Sequence, residues 1–343
     1  MSYMAEKKRD PYFDNAKFLL MILVVFGHMM QPFIENEQWN HDLYYTIFAF
    51  HMPAFIFISG FFAKSFDPQK KAPVATNFQK FIVPYIFFQW LYSLFNRLSG
   101  AEEHFTFQLD VPNWSLWFLI SSFFWQISLY FFRRIRPTAG ITISILISLL
   151  VGYTPFIGRE LTLQRTAVFL PFFIIGYYLP KGFFDWFKNF KYKKLFAVGF
   201  VVIYALVNYL NEVNKYMFFG SKHYDDFLNF PEWGFLVRIV TFMLAIIGML
   251  AFFSLVPTRE TSYTKEGKYT LIAYLLHGFF IRGMRAFDLE NIHLGFPGFI
   301  VLALASILLT TVLASEPVGK VYNKIERYFL GNKNKNKPTY NES

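Results

Sequence analysis

Residues 12–30 read YFDNAKFLLMILVVFGHMM, an apolar run of helix-forming residues long enough to enter a bilayer, yet it carries Lys17 and His28. An ionisable group in lipid costs at least ~2.5 kcal/mol, so such groups persist where they pair, line a cavity or do chemistry. Lys17 and His28 are eleven residues apart. At 3.6 residues and 5.4 Å per turn that is close to three turns, which puts both on one helical face about 16 Å apart. Asp14 falls on the same side, within i, i+3 reach of Lys17.

The composition extends this reading to the whole chain. Of 343 residues, 55% are hydrophobic, 47 are Phe and 16% are charged, against about 25% charged in a soluble domain. The apolar residues come in bilayer-length blocks joined by short polar connectors, so the expected fold is all-α, a polytopic helical membrane protein. The first block is long, has no small-residue cleavage site and is followed by more spans, which reads as a first span and not a cleavable signal. With no cysteine, disulfides, thiolate metal sites and cysteine nucleophiles are excluded together.

Ten blocks are candidate spans: 12–33, 43–62, 78–98, 114–132, 141–157, 166–180, 195–211, 233–256, 269–286 and 297–316. The fifth is short and ends in Thr154-Pro155, and the ninth is broken by His277 and Arg282. With the N-terminus cytoplasmic, the inside segments hold all but eight of the 33 basic residues, the exceptions being Arg97, Arg159, Arg165, Lys215, Lys222, Arg238, Arg282 and Arg285. That bias predicts cytoplasmic N- and C-termini. It also accounts for the net charge of +10 without a nucleic-acid partner. The resulting organisation is a cytoplasmic segment at 1–11, one transmembrane domain at 12–330 and a polar, low-complexity tail at 331–343 expected to be disordered. The longest outside loop, about 212–232, has room for a small ordered cap.

Three histidines, His28, His51 and His277, fall inside predicted spans at mid-membrane depths. A lone buried histidine is by default a structural hydrogen-bonder. Three at similar depth point to a shared polar cavity, because each would be costly alone. Pro53, two residues after His51, lacks the N–H for the helix ladder and disturbs the turn before it. Arg165 opens the sixth span and Arg282 follows His277 by five residues. Interfacial arginines are lipid anchors by default, and anion or sugar ligands otherwise. Trp114 and Trp117 in NWSLWFL are belt anchors or sugar-stacking platforms by the same choice. No Walker loop, dinucleotide-binding glycine fingerprint, HExxH or GxSxG is present.

Several stretches together resemble the integral-membrane acyltransferase-3 superfamily, and within it the fucose 4-O-acetylase-like branch: YFDNAKFLLMILVVFGHM, FHMPAFIFISGFFAK, KFIVPY, SLWFL, FLPFFIIGYYLPK and YLLHGFF, in the family's order. The superfamily signature is an arginine and a histidine separated by ten residues in the first helix. Lys17 and His28 match it with lysine in place of arginine, which keeps the charge and loses the bidentate fork. The resemblance implies a multi-pass protein of the bacterial cell membrane that takes acetyl groups from cytoplasmic acetyl-CoA and places them on hydroxyls of cell-envelope carbohydrates. It implies His28 as catalytic residue and Lys17 as its basic partner, followed by His51, Arg165 and His277. Some relatives carry a fused extracytoplasmic hydrolase-like domain that is not found here, so the expectation is a protein that acts alone or hands its acyl group to a partner in envelope biosynthesis.

The residues suit that chemistry. A histidine near pKa 6.5 can take the proton of a sugar hydroxyl as it attacks an activated thioester, with no need of a metal. Lys17, Lys70, Lys71 and Lys80 supply inside cations for the phosphates of CoA, and Arg165, Arg282 and Trp117 are candidate acceptor ligands. Acyl transfer is direct or through an acyl-histidine. Two alternatives stand beside the enzyme: a proton-coupled transporter or lipid-linked glycan flippase using the histidines as a relay, and a structural partner in an envelope-synthesis complex.

The cysteine-free background makes the topology testable. Lys222→Cys is expected to react with an impermeant maleimide in intact cells, and Lys194→Cys only after lysis; the reverse pattern would invert the assignment.

Overall fold

The computed structural model of the chain describes residues 9–65, 73–158, 160–210, 213–285, 287, 292 and 294–330. Among them every regular element is helical. In chain order these are α1 (Pro11–Met30), α2 (Gln38–Phe62), α3 (Pro73–Asn77), α4 (Val83–Leu98), α5 (Trp117–Phe132), α6 (Pro137–Leu150) and α7 (Leu163–Tyr178). There follow α8 (Phe183–Asn189), α9 (Val198–Leu210), α10 (Lys215–Phe219), α11 (Gly234–Leu255), α12 (Thr270–Arg285), α13 (Phe296–Leu313) and α14 (Glu316–Leu330).

Local chemistry sets several of these boundaries. Asp10 caps α1, its carboxylate accepting from the Tyr12 N–H at 3.0 Å, and Pro11 fills a first-turn position where no N–H is needed. A π-helical stretch, Phe78–Ile82, leads into α4 just before Pro84, which cannot donate to the turn behind it. Pro53 and Pro171 are accommodated inside α2 and α7.

Each of the ten apolar blocks falls on a helix, but the helices differ in spanning power. Six stretches among the described residues are long and apolar enough to cross a membrane alone: Pro11–Phe33, Gln38–Phe62, Trp114–Phe132, Lys193–Leu210, Pro231–Leu255 and Phe296–Leu313. A seventh arises if Glu160–Tyr178 and Phe183–Asn189, bent by 86°, form one broken span. The remaining blocks coincide with shorter helices. Two of them, α4 and α12, also carry polar side chains, Gln89 and Asn96 in one and His277, Arg282 and Arg285 in the other.

The helices sort by burial. α1 and α2 are enclosed by the others, whereas α9 and α13 present Val201, Leu210, Leu304 and Leu308 outward. That exposed apolar surface is what lipid would cover. The most extensive helix pair is α2 with α7. It closes to backbone contact at two glycines: a Cβ on Gly60 would lie 2.0 Å from the Phe173 carbonyl oxygen, and one on Gly176 would lie 2.2 Å from the Phe57 carbonyl oxygen. Small residues at such crossings let van der Waals packing replace the hydrophobic drive that lipid abolishes.

At the end holding the N-terminus of α1, Asn15 donates to the carbonyls of Pro257 and Arg259, both at 2.9 Å, and accepts from Thr264 at 2.7 Å. Asp14 is gripped by Arg9 through two hydrogen bonds of 3.0 and 2.7 Å, with Lys17 at 3.2 Å. At the other end, the loop through residues 99–113 is tied to α4: Tyr85 donates to Leu109 (2.7 Å) and Gln89 to Gln108 (2.6 Å) and Val111 (3.0 Å). The expected cap in the 212–232 loop is ordered in its described part, with α10 and a fully enclosed Tyr224. α14 was not foreseen as a separate element; Tyr322 on it stacks against Phe88 with ring centroids 6.4 Å apart. Lys70, Lys71 and the 331–343 tail lie outside the described residues.

The α2–α7 crossing carries a prediction. Gly60→Leu drives a side chain into the Phe173 carbonyl and is expected to cost about 2 kcal/mol or more. Gly182→Ala, where nothing lies within 4 Å of the new Cβ, is expected to change stability by less than about 0.5 kcal/mol. Thermal unfolding in detergent distinguishes the two.

Candidate functional site

A partly open cavity of about 540 Å³ lies where the C-terminal end of α1 meets α2, α7 and α12, with the loop at 102–113 and the cap at 215–221 forming its outer walls. Its lining includes His28, His51, Trp114, Trp117, Gln164, Arg165, Tyr274, Arg282 and Arg285. Four elements distant in sequence thus deliver polar side chains to one space inside an apolar shell.

His28 stands near the end of α1, half-buried, with its Nδ1 enclosed and without a hydrogen-bond partner among the described residues. The Trp114 ring lies 4.3 Å from it between centroids, and the His277 ring 5.7 Å. His277 is completely buried behind Trp114, at 5.4 Å between rings, and is not itself part of the cavity wall. Phe48 intervenes between the other two histidines, 6.1 Å from His28 and 4.6 Å from His51.

The tautomers of two histidines follow from their partners. His51 Nδ1 meets the Ile47 carbonyl at 2.8 Å and His277 Nδ1 meets the Tyr274 carbonyl at 2.6 Å. A carbonyl only accepts, so each neutral ring carries its proton on Nδ1 and leaves a lone pair on Nε2. For His277 that Nε2 is buried with no partner among the described residues.

Trp114 is held against its backbone preference. Its φ of +38° lies in the left-handed region, an outlier for a bulky residue, at an expected cost of about 1–3 kcal/mol. The neighbourhood imposes it. The Asn113 N–H donates to Gln89 at 2.7 Å, the Tyr274 hydroxyl donates to the Ser115 carbonyl, and Gly278 clears the space beside the ring. A Cβ on Gly278 would sit 2.8 Å from the Trp114 ring and 2.1 Å from the Tyr92 hydroxyl.

Three arginines surround the same space. Arg285 donates to the His28 carbonyl at 3.1 Å and to Gln31 at 2.6 Å, and its guanidinium lies 5.4 Å from the Trp114 ring. It therefore joins the end of α12 to the end of α1, whose last carbonyls attract a cation. Arg165 lies over Trp117 at 5.0 Å, and Arg282 donates to Asn96. Among the described residues, no three histidine or carboxylate groups are arranged to share one ion.

The expected site is thus gathered in part. His28, His51, Arg165, Arg282 and Trp117 share the cavity wall and His277 backs it. Lys17 does not reach it: it stays at the far end of α1, paired with Asp14 and 5.8 Å from the Phe62 ring. Lys80 is also remote from the cavity, 5.2 Å from the Phe81 ring. Lys70 and Lys71 lie outside the described residues. Sequence reasoning missed Arg285, although it lies i+3 from Arg282 on one helical face. It also missed Gln164, 1% exposed, whose amide N and O both line up without a partner among the described residues. Nothing in the linear sequence marks that glutamine.

Residues 10–315 match a protein-family model described as an acyltransferase domain. The chain is also similar to nodulation protein NolL of Sinorhizobium fredii (strain NBRC 101917 / NGR234), 30% identical over 128 residues, which cover 34% of this chain and 35% of that protein. Nodulation protein NolL of Mesorhizobium japonicum (strain LMG 29417 / CECT 9101 / MAFF 303099) is 41% identical over 56 residues, 16% of this chain and 15% of the relative. The chain therefore spans about a third or less of the length of these curated relatives. No solved structure matches.

The strain at Trp114 is testable without an activity assay. Deleting a buried tryptophan ring costs about 3–5 kcal/mol, and these two, partly exposed at the cavity wall, each cost less, but Trp114→Gly also releases about 1–3 kcal/mol of backbone strain. Trp117 has helical backbone angles, so Trp117→Gly loses its ring and adds about 1 kcal/mol of glycine penalty. Thermal unfolding is expected to find Trp117→Gly the less stable by about 2 kcal/mol; equal losses would mean Trp114 is unstrained.

Proposed function

The chain belongs to the acyltransferase-3 family, and from that premise we propose that it is a membrane-embedded O-acetyltransferase of the bacterial cell membrane. Its donor is cytoplasmic acetyl-CoA, and its acceptor is a hydroxyl on a cell-envelope or exopolysaccharide sugar or the lipid-linked precursor of one. The observation that carries this reading is the wall around His28. An imidazole with an unpartnered Nδ1 faces a roomy polar cavity, flanked by two tryptophans and an unpartnered glutamine amide. Tryptophan faces and amide groups are what sugar rings and hydroxyls pack against.

In the proposed reaction the acceptor hydroxyl lies against His28. The imidazole takes the hydroxyl proton as the oxygen attacks the thioester carbonyl carbon; the carbon–sulfur bond breaks, and the proton passes from the imidazole to the departing thiolate of CoA. Arg285 and Trp114 fix the end of α1 and the ring of His28 for this exchange. His277 is a second acid–base group behind Trp114, and His51 a third beyond Phe48.

The topology proposed here has about ten crossings with both termini cytoplasmic, supported by the basic bias of the intervening loops. It sets Lys17 at the inner face, with Lys64 nearby: Lys64 lies 4.1 Å from the Phe61 ring and Lys17 5.8 Å from the adjoining Phe62 ring. Burial, with the charge of Lys181 adding to it, pushes the Lys64 ammonium down to about 8. Cations crowded in this way favour an anion, and the phosphates of CoA meet that need, with Lys70, Lys71 and Lys80 as further candidates. The thioester then reaches His28 along the axis of α1.

The direct test is transfer of labelled acetyl from acetyl-CoA to candidate envelope glycans by the purified chain. His28→Ala is expected to lose at least about 100-fold in rate; transfer at the wild-type rate would sink the assignment. Lys17→Ala is expected to raise the acetyl-CoA KM with little change in kcat, and Lys17→Arg to keep activity, since Arg9 already grips Asp14.

A further inference from the structure

The charges around the cavity are lopsided. Its lining contains Arg165, Lys215, Arg282 and Arg285 but one carboxylate, Glu102. Glu102 is occupied elsewhere, accepting from Asn96 at 3.0 Å and from Thr106 at 2.5 Å. Arg282 and Arg285 are one turn apart on α12, close enough for like charges to repel. Neither has a carboxylate within 4.0 Å among the described residues; Arg282 donates to the neutral Asn96, and Arg285 to Gln31 and a backbone carbonyl. The Nε of Arg285 is buried with no partner at all among those residues.

Arg282 feels the charge of Glu102, but no carboxylate pairs directly with either guanidinium among the described residues, so two adjacent half-buried cations carry a desolvation cost that is only partly relieved. A ligand oxyanion would relieve it. Across the same cavity Gln164 has an enclosed amide whose donor and acceptor both lack partners among the described residues, so the wall has unmet polar capacity beside its positive charge.

We propose that Arg282 and Arg285 form a phosphate subsite for the acceptor, so that the sugar acetylated here bears a phosphate ester or diphosphate, as a lipid-linked or phosphodiester-containing glycan does, and is not a neutral saccharide. The inference rests on the acyltransferase reading for the identity of its ligand as an acceptor. Phosphate suits the pair better than carboxylate, because its tetrahedral oxygens can take N–H groups from two guanidinium forks at once. The phosphates of CoA offer the same chemistry, but the cation pair sits beside the end of α1 that carries His28, and Lys17 sits at the other. The phosphate would hold the sugar by one end and leave a ring hydroxyl against His28.

The test is binding to the full-length chain in neutral detergent, read by intrinsic tryptophan fluorescence, with inorganic pyrophosphate as the probe. Wild type is expected to bind it saturably. Arg282→Gln and Arg285→Gln are expected to weaken binding tenfold or more and Arg285→Lys less, while the affinity for CoA stays the same. Pyrophosphate binding unchanged in both glutamine variants overturns the subsite. An equal loss of CoA affinity overturns it in favour of a donor site, and glucuronate binding more tightly than pyrophosphate overturns it in favour of a carboxylate site. Should Arg285→Gln fail to fold, Arg282→Gln carries the comparison, and wild-type binding that does not weaken between low and high salt also overturns the proposal. No turnover is required, so a chain that binds pyrophosphate as expected yet transfers no acetyl group would defeat the functional reading and leave the subsite standing.

Discussion

The backbone contact between α2 and α7 is the constraint on which the site depends. Where Gly60 meets Phe173 and Gly176 meets Phe57, no side chain separates the helices. Every cavity residue that these helices supply, Phe48, His51 and Met52 from one and Gln164, Arg165 and Phe169 from the other, precedes that crossing. Tight closure past this point and bulky side chains before it leave a space at one end only. In lipid, where apolar burial does not drive helices together, such a glycine contact is an effective way to fix where two helices part.

Helix placement and most of the polar constellation were legible in the sequence for one reason: polar groups in apolar helices are expensive, so those present mark where helices face one another. His28 and His51 are read this way, and they share a cavity with Arg165, Arg282 and Trp117, which by default are interfacial anchors. Lys17 lies outside that cavity. It shares a helical face with His28, but a face runs the length of a helix and the cavity does not. Asp14, Arg9 and the Phe62 ring account for Lys17 locally. Not every one of the ten blocks lies on a helix long and apolar enough to cross alone. α4 and α12 owe their polar residues to the loop and cavity they face, and that lowers the apolarity by which a lone span is judged.

What could not be read was whatever arises only when distant segments meet. Nothing in NWSLWFL announces a left-handed tryptophan, because Gln89, Tyr274 and Gly278, which impose it, lie on other helices. Gln164 looks like any interfacial glutamine until the space in front of it is seen. The protonation pattern of His51 and His277 likewise comes from carbonyls of their own helices, at 2.8 and 2.6 Å, which fix the side of each ring that stays open.

The loop at 99–113 is neither helix nor strand, yet it walls the cavity. It is moored to α4 by a polar stripe, Tyr85, Gln89, Ser93 and Asn96, spaced at helical intervals. Three of the moorings end on loop carbonyls, groups that every residue type provides, and others on the side chains of Glu102 and Asn113. At Gln108, Leu109 and Val111 the side chain is therefore not part of these anchoring bonds. Substitutions at the loop positions held through their carbonyls would therefore reshape the outer wall of the cavity and leave the helices and their histidines in place.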